Sequence, residues 1–279
     1  MSDPHSPREV LDGGPPVGPF AEGTLPPGFR LLAHEEEIGS LRLGDLSDWF
    51  NPFLRHFMSE SLRCGGEVLL AEEDGVVGVV YLYSPAERIA SVFTRSRALA
   101  EAMLCRRDRI SMYSPYPLRS DAEPYLIYEG PADAPDGRDR FRFPIRIASR
   151  TDRPRIVALL REVYGEVDEQ WIATMPEAVE RCFLAEVDGE IAGVAWASLV
   201  EGVGRLHSLS VRPRFRRLGI GTDLFRARCL WLGAAGATRT ISEIAERNRP
   251  SRRIAEAGGM REVGRIFRLE RETTTGSRS

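Results

Sequence analysis

The sequence predicts a mixed α/β fold built twice in tandem. Three observations carry that expectation: the order of elements in the second half, a hairpin phrase that occurs once in each half, and a length that suits two cores. At 279 residues, and roughly 150 per domain, the chain has room for two domains that each bury an interior. Its 42% hydrophobic and 28% charged residues are ordinary for a globular protein. No run approaches the ~18 apolar residues of a membrane span. The opening MSDPHSPREV lacks a basic start followed by an apolar run, so it does not read as a secretory signal and a cytoplasmic address is expected.

The repeated phrase is LLAEEDGVVGVV at 69–80 and FLAEVDGEIAGVA at 183–195. Leu70, Ala71, Glu72, Asp74 and Gly75 recur as Leu184, Ala185, Glu186, Asp188 and Gly189, all at an offset of 114. Gly78 is then matched to Gly193 after one inserted residue. In both copies two apolar runs flank an Asp-Gly pair, a strong hairpin signal because the turn requires positive φ. The expected organisation is a disordered segment over 1–27, a first copy over 28–130, a linker over 131–141, a second copy over 142–270 and a disordered tail over 271–279.

Elements of the second copy follow from local pattern. FPIRIAS at 143–149 reads as a strand, and Thr151, Asp152 and Pro154 start a helix. Its apolar stripe is Ile156, Val157, Leu159, Leu160, Val163 and Tyr164. After the hairpin, RLHSLSV at 205–211 is a strand, RPRFRRLGIG a loop, and a helix follows with Leu224, Phe225, Cys229 and Leu232 on one face. A strand at 239–246, a loop and short helix in NRPSRRIAEAGG, and a last strand in MREVGRIFRLER complete the order. Helices alternating with a hairpin and further strands make a mixed sheet.

Charge narrows the chemistry. All 38 Lys+Arg residues are arginines, which excludes a phosphate-loop lysine and a lysine Schiff base. From Arg205 to Arg268 there are 15 arginines against 5 acids, while the whole chain carries −3. A basic region on an acidic protein points to a polyanionic ligand such as a phosphate-bearing cofactor or nucleic acid. Cys64, Cys105, Cys182 and Cys229 are scattered, and His5, His34, His56 and His207 offer no metal-ligand spacing beside them. They read as reduced, structural thiols, with no metal expected.

The sharpest motif is Arg216-Arg217-Leu218-Gly219-Ile220-Gly221-Thr222, between a strand and a helix. Glycines there let backbone N–H groups face outward at a helix start, where amide donors and the helix dipole hold a pyrophosphate. The arginines add neutralising charge. Leu224 stands where a dinucleotide fingerprint needs its third glycine.

With Leu209-Ser210-Val211-Arg212-Pro213 before it, this loop resembles the R/Q-x-x-G-x-G/A signature of the GNAT superfamily of acetyl-CoA-dependent N-acetyltransferases. The resemblance covers about 142–270 and implies two tandem GNAT-like acyl-CoA N-acyltransferase domains. It also implies acetyl-CoA as cosubstrate, pantetheine along Leu209, Ser210 and Val211, pyrophosphate on Arg216 to Thr222, and Asn248 near the cofactor. Many members place a proton-donating tyrosine seven residues after that asparagine; here the position is Ala255. N-R-P-S at 248–251 is similar to the N-x-x-S form of ribosomal-protein N-terminal acetyltransferases, which makes Ser251 the substitute acid. Read from the residues alone, Ser251 is equally a helix cap.

For the base, Glu243 interrupts an apolar strand face, where partial desolvation suits a carboxylate to take a proton. It also stands five residues before Asn248, where some N-terminal acetyltransferases that this segment resembles carry a histidine. Its alternative is a plain ion pair with an arginine. His207 on the neighbouring strand is the second candidate, or a packed core histidine.

The first copy has no glycine from Val79 to Glu129, so it reads as degenerate. Its Tyr113, Tyr116, Tyr125 and Tyr128 suit either a substrate groove or an interface. The expected reaction is direct acetyl transfer to a primary amine on a small molecule, a protein N-terminus or a lysine. No membrane or nucleic-acid partner is expected. The alternative is a non-catalytic acyl-CoA-binding or RNA- or ribosome-binding module.

Overall fold

The computed structural model describes residues 28–44, 51–84, 89–96, 109–132, 141–165 and 180–271, with positions 25 and 98. Nearly all of the segment expected to be disordered at the start, the linker from 133 to 140, the tail after 271 and Cys105 lie outside the described residues.

The strands are β1 (Phe29–Leu31), β2 (Glu67–Glu73), β3 (Val76–Ser84), β4 (Ile89–Thr94), β5 (Arg109–Ser114), β6 (Glu123–Gly130), β7 (Ile145–Ile147), β8 (Glu180–Val187), β9 (Glu190–Val200), β10 (Val203–Val211), β11 (Arg239–Ala245) and β12 (Arg261–Arg271). The helices are α1 (Asn51–Arg63), α2 (Arg153–Tyr164), α3 (Ile220–Ala234) and α4 (Arg249–Ala257). Among the described residues all strands join one sheet in the order β1-β2-β3-β4-β5-β12-β6-β11-β10-β9-β8-β7.

That order repeats itself inward from either end, as a duplicated fold with a pseudo-two-fold axis requires. It also exchanges the last strand of each half. Both neighbours of β6 belong to the second half and both neighbours of β12 to the first. The two meet as a central antiparallel pair from Arg261↔Glu129 to Arg268↔Glu123, so neither half completes its sheet alone.

The hairpin repeat is built as expected. Asp74 and Gly75 (φ 53 and 70) and Asp188 and Gly189 (φ 51 and 77) make the turns. Both hairpins shift register at the same place, Ala71/Glu72 and Ala185/Glu186. The ladders pair Ala71 with Val79 and Ala185 with Gly193, so the offset stays at 114. Gly193 therefore corresponds to Val79 rather than Gly78, and the matched glycines mark no insertion.

One sheet face is covered by α1, with Phe53, Leu54 and Met58 in a cluster that also takes Val203 and Ile241 from the second half. Further along that face, α2 packs Ile156, Val157, Leu159 and Leu160 on Leu184, Val194 and Trp196. Tyr164, expected on the same stripe, is instead 63% exposed. Asp152 anchors the start of α2 by accepting both Arg146 guanidinium nitrogens (2.6 and 2.7 Å) and the backbone and hydroxyl of Ser149. On the opposite face α3 buries Leu224, Phe225, Cys229 and Leu232, and α4 adds Ala255. Among the described residues, no helix is long and apolar enough to cross a membrane.

Candidate active site

The site is built where two parallel strands part. β10 and β11 pair over Val203↔Arg239, Gly204↔Thr240 and Arg205↔Ile241, and the strands then run on unpaired with each other to Val211 and Ala245. Ser242 Oγ donates to the Leu206 carbonyl at 2.8 Å, next to the point of divergence. Beyond it the ladder between β10 and β9 jumps from His207↔Trp196 to Ser210↔Val194. Ser208 absorbs the extra residue at φ 52, the local kink of a β-bulge. Leu209, Ser210 and Val211 thus line the opened edge. Ser210 is buried, its hydroxyl 2.8 Å from that of Tyr164.

The glycine loop lies at the mouth of this opening. Arg217 (φ 66) and Gly219 (φ 96) turn the chain into α3, and Gly219 is the N-cap residue, a left-handed position that glycine takes without strain. The first N–H groups of α3, from Ile220, Gly221 and Thr222, are the donors a helix start leaves without intrahelical partners. Gly221 has a packing role as well: a Cβ there would stand 2.9 Å from Ile254 of α4 and 3.5 Å from Leu209. Arg212 and Arg214 are drawn to Glu162 and Glu190, whereas Arg216 bonds the Val211 carbonyl at 3.2 Å.

A cation that sequence reasoning missed also reaches the loop. Asp223, in the first turn of α3, accepts the backbone N–H groups of Arg142 and Phe143 (2.7 and 3.3 Å). This lays the Arg142 side chain over Gly219, its Nη1 3.1 Å from where a Cβ would stand. Glycines, helix start and arginines together form a donor set that fits a pyrophosphate. Arg142 carried no signal in the chain because its approach to Gly219 spans 77 positions.

At α4, Asn248 is the N-cap residue and accepts the Ser251 backbone N–H at 3.3 Å. The cap is therefore Asn248, and Ser251 is the capped residue rather than the cap. Its hydroxyl makes no bond among the described residues. Ala255 is 2% exposed, in the core between α3, α4 and the sheet.

On the face shared by α1 and α2, polar groups gather next to the bulge. Ser198 Oγ donates to Glu180 at 2.9 Å, and His207 Nε2 lies 2.9 Å from Ser198 Oγ and 3.4 Å from Glu180. With Ser198 donating to the carboxylate, the chain of donors puts the imidazole proton on Nε2 and leaves Nδ1, 3.3 Å from Ser208 Oγ, as its acceptor nitrogen. Burial pulls His207 below the ordinary histidine value, with Glu180 opposing. Glu180 is held below the usual carboxylate range: burial works against this, but His207, Ser198 and Arg205 outweigh it.

Glu243 is nearly buried beside this network and accepts from Arg205 Nε through both oxygens, at 3.0 and 3.2 Å. The Arg205 guanidinium in turn lies 6.0 and 5.7 Å from the Phe53 and Phe57 rings of α1. The ion-pair alternative for Glu243 is the arrangement found. The tyrosines of the first half are committed too: Arg268 sits over Tyr113 and Tyr125, each at 5.9 Å, and Tyr128 donates to Glu256 at 2.8 Å. Burial pushes the Cys182 thiol well up and that of Cys229 up to about 11, so neither is a ready nucleophile.

No curated protein matches the chain in sequence. Residues 147–259 match the acetyltransferase (GNAT) family. Among solved structures, a tandem GNAT protein from the clavulanic acid biosynthesis pathway is 17% identical with a TM-score of 0.57, covering 87% of this chain and 98% of that one. An acetyltransferase of the GNAT family from Colwellia psychrerythraea is 11% identical, TM-score 0.55, with coverage of 87% and 98%. A GCN5-related N-acetyltransferase from Sphaerobacter thermophilus is 14% identical, TM-score 0.53, with coverage of 88% and 97%. At these identities the likeness is one of fold, and it extends over both halves.

Proposed function

We propose, from the match of residues 147–259 to the acetyltransferase (GNAT) family, that the protein moves the acetyl group of acetyl-CoA directly onto a primary amine. The observation that carries this reading is the parting of β10 from β11 beside a glycine-capped helix start. An extended thiol-bearing arm fits the first feature and a pyrophosphate the second.

In this reading the pantetheine arm runs along Leu209, Ser210 and Val211, with Asn248 near it. Arg216, Arg217, Leu218, Gly219, Ile220, Gly221 and Thr222 hold the pyrophosphate, joined by Arg142. His207 takes the role of base: Nδ1 accepts a proton from the ammonium acceptor, and Glu180, 3.4 Å from Nε2, stabilises the imidazolium that forms. Glu243 stands second, because Arg205 occupies both its oxygens. The free amine attacks the thioester carbonyl, whose oxygen is polarised by amides following the bulge. As the carbon–sulfur bond breaks, the Ser251 hydroxyl passes a proton to the thiolate and is reprotonated by the one that the attacking nitrogen sheds as the amide forms. The acceptor is an amine-bearing small molecule, a protein N-terminus or a lysine, in the cytoplasm.

A binding module without turnover draws on Ala255, an alanine buried where a proton donor is expected. Calorimetry and a free-thiol assay separate the two. The transferase reading expects one acetyl-CoA per chain and thiol release that depends on an added amine. Binding without release across small amines, N-terminal peptides and lysine peptides would leave the module.

A further inference from the structure

The β-bulge of β10 rests on a buried cation. Arg228 of α3 is 3% exposed, and its guanidinium donates to three backbone carbonyls. Nε bonds Leu224 at 3.2 Å, and Nη1 bonds Trp196 at 3.1 Å and His207 at 3.3 Å. Trp196 and His207 stand opposite each other at the last pair before the ladder jumps. No carboxylate pairs with Arg228 among the described residues, and burial alone brings it down to about 10. A helix position that packs on a sheet ordinarily takes an apolar side chain, because an unpaired buried charge costs free energy. A cation is kept here in the place where a bulge disrupts the ladder and bends the strand.

We propose, building on the acetyl-transfer reading above, that Arg228 is a positioning residue: by tying the Trp196 and His207 carbonyls to α3 it holds the β10 bulge. The bulge sets two things at once. It carries His207, whose ring faces Ser198 and Glu180 on the other side of the sheet, and it starts the edge of Leu209, Ser210 and Val211 that is unpaired with β11. Losing the tether loosens both while leaving the glycine loop intact, since that loop is held by Asp223, Arg142 and the α3–α4 contact. The pantetheine contacts along Leu209, Ser210 and Val211 loosen while the pyrophosphate contacts hold, so the defect falls more on the chemical step than on acetyl-CoA binding.

Arg228→Met, a neutral side chain of similar reach, tests this in the full chain. Amide hydrogen exchange without any ligand should quicken in peptides spanning 205–212 and stay unchanged in the β6–β12 pair. With acetyl-CoA and an accepted amine, kcat should fall by about 10²-fold, the cost of a misplacement near 1 Å, while KM for acetyl-CoA stays within about threefold. Should Arg228→Met fail to fold, Arg228→Lys, which keeps the charge but not the fork, carries the same readouts with a smaller loss. Unchanged exchange at the bulge in a folded variant overturns the tether, whatever the activity. Faster exchange with an unaltered kcat overturns the positioning role. If the wild-type chain acetylates no amine, it is the functional reading that falls, and exchange still decides the tether.

Discussion

Asp74-Gly75 and Asp188-Gly189 turn their hairpins with nearly equal φ angles, yet the two halves diverge at the seam between their fourth and fifth strands. In the first half the β3–β4 ladder runs without a shift from Val79↔Thr94 to Ser84↔Ile89. β4 then stays paired with β5 for five residues, as far as Phe93↔Tyr113. Those two rings stack at 5.0 Å and 11°, closing the seam. In the second half one extra residue enters β10, and pairing with β11 stops at Arg205↔Ile241. The registers place Ser91 where the second half has His207, and Phe93 where it has Ser210. The same scaffold is closed in one half and opened in the other, where one residue is inserted and Ser210 stands in place of Phe93.

The strongest way to break that contrast is to remove the histidine. His207→Ala should lower kcat/KM by about 10²- to 10⁴-fold, the weight of a general base, with acetyl-CoA affinity kept within a few-fold. A histidine base acts when neutral, and burial lowers the pKa of His207. The acidic limb of the wild-type kcat/KM profile should therefore lie below the ordinary histidine value of about 6.5. The same depression means the unfolded chain binds the extra proton first, so stability from this group is lost as pH drops below that value. Near-full activity in His207→Ala would return the role to Glu243.

Next in size is the glycine loop, which has no counterpart in the sequence of the first half. Gly219→Val forces a β-branched residue to φ 96, a strain of about 1–3 kcal/mol, and should weaken acetyl-CoA about 5- to 150-fold by calorimetry. Unchanged affinity would remove the loop from the pyrophosphate site. Arg142→Ala should have a smaller effect, about three- to fivefold, as expected of an exposed charge worth about 1 kcal/mol; the loss should shrink at high salt. An Arg142 variant as tight as wild type at low salt would put that side chain outside the site.

The smallest effect on binding is expected from opening the closed seam. Phe93→Ala should cost about 3–5 kcal/mol of stability, as core aromatic truncations do, yet leave one acetyl-CoA per chain because no glycine lies between Val79 and Glu129. A second site appearing in that variant would mean that ring stacking, and not the missing loop, silences the first half.

Much of this was readable from local pattern. Apolar runs on either side of an Asp-Gly pair located β8 and β9, and period-3.6 apolar spacing located the buried faces of α2 and α3, because a helix that covers a core must repeat its apolar residues with its own geometry. Asp-Gly pairs placed both hairpins, since positive φ selects those residues at short range, and Gly219, at φ 96, marked the start of α3 for the same reason. What the chain did not reveal depends on approach between residues far apart in it. The exchange of β6 and β12, the Arg205–Glu243 pair braced by Phe53 and Phe57, the reach of Arg142 to Gly219 and the seat of Arg228 beneath the bulge all join segments brought together only by the sheet. An arginine or glutamate looks the same in sequence whether solvent or a buried partner meets it. Tertiary structure decides which, because desolvation and pairing are properties of the surroundings rather than of the residue.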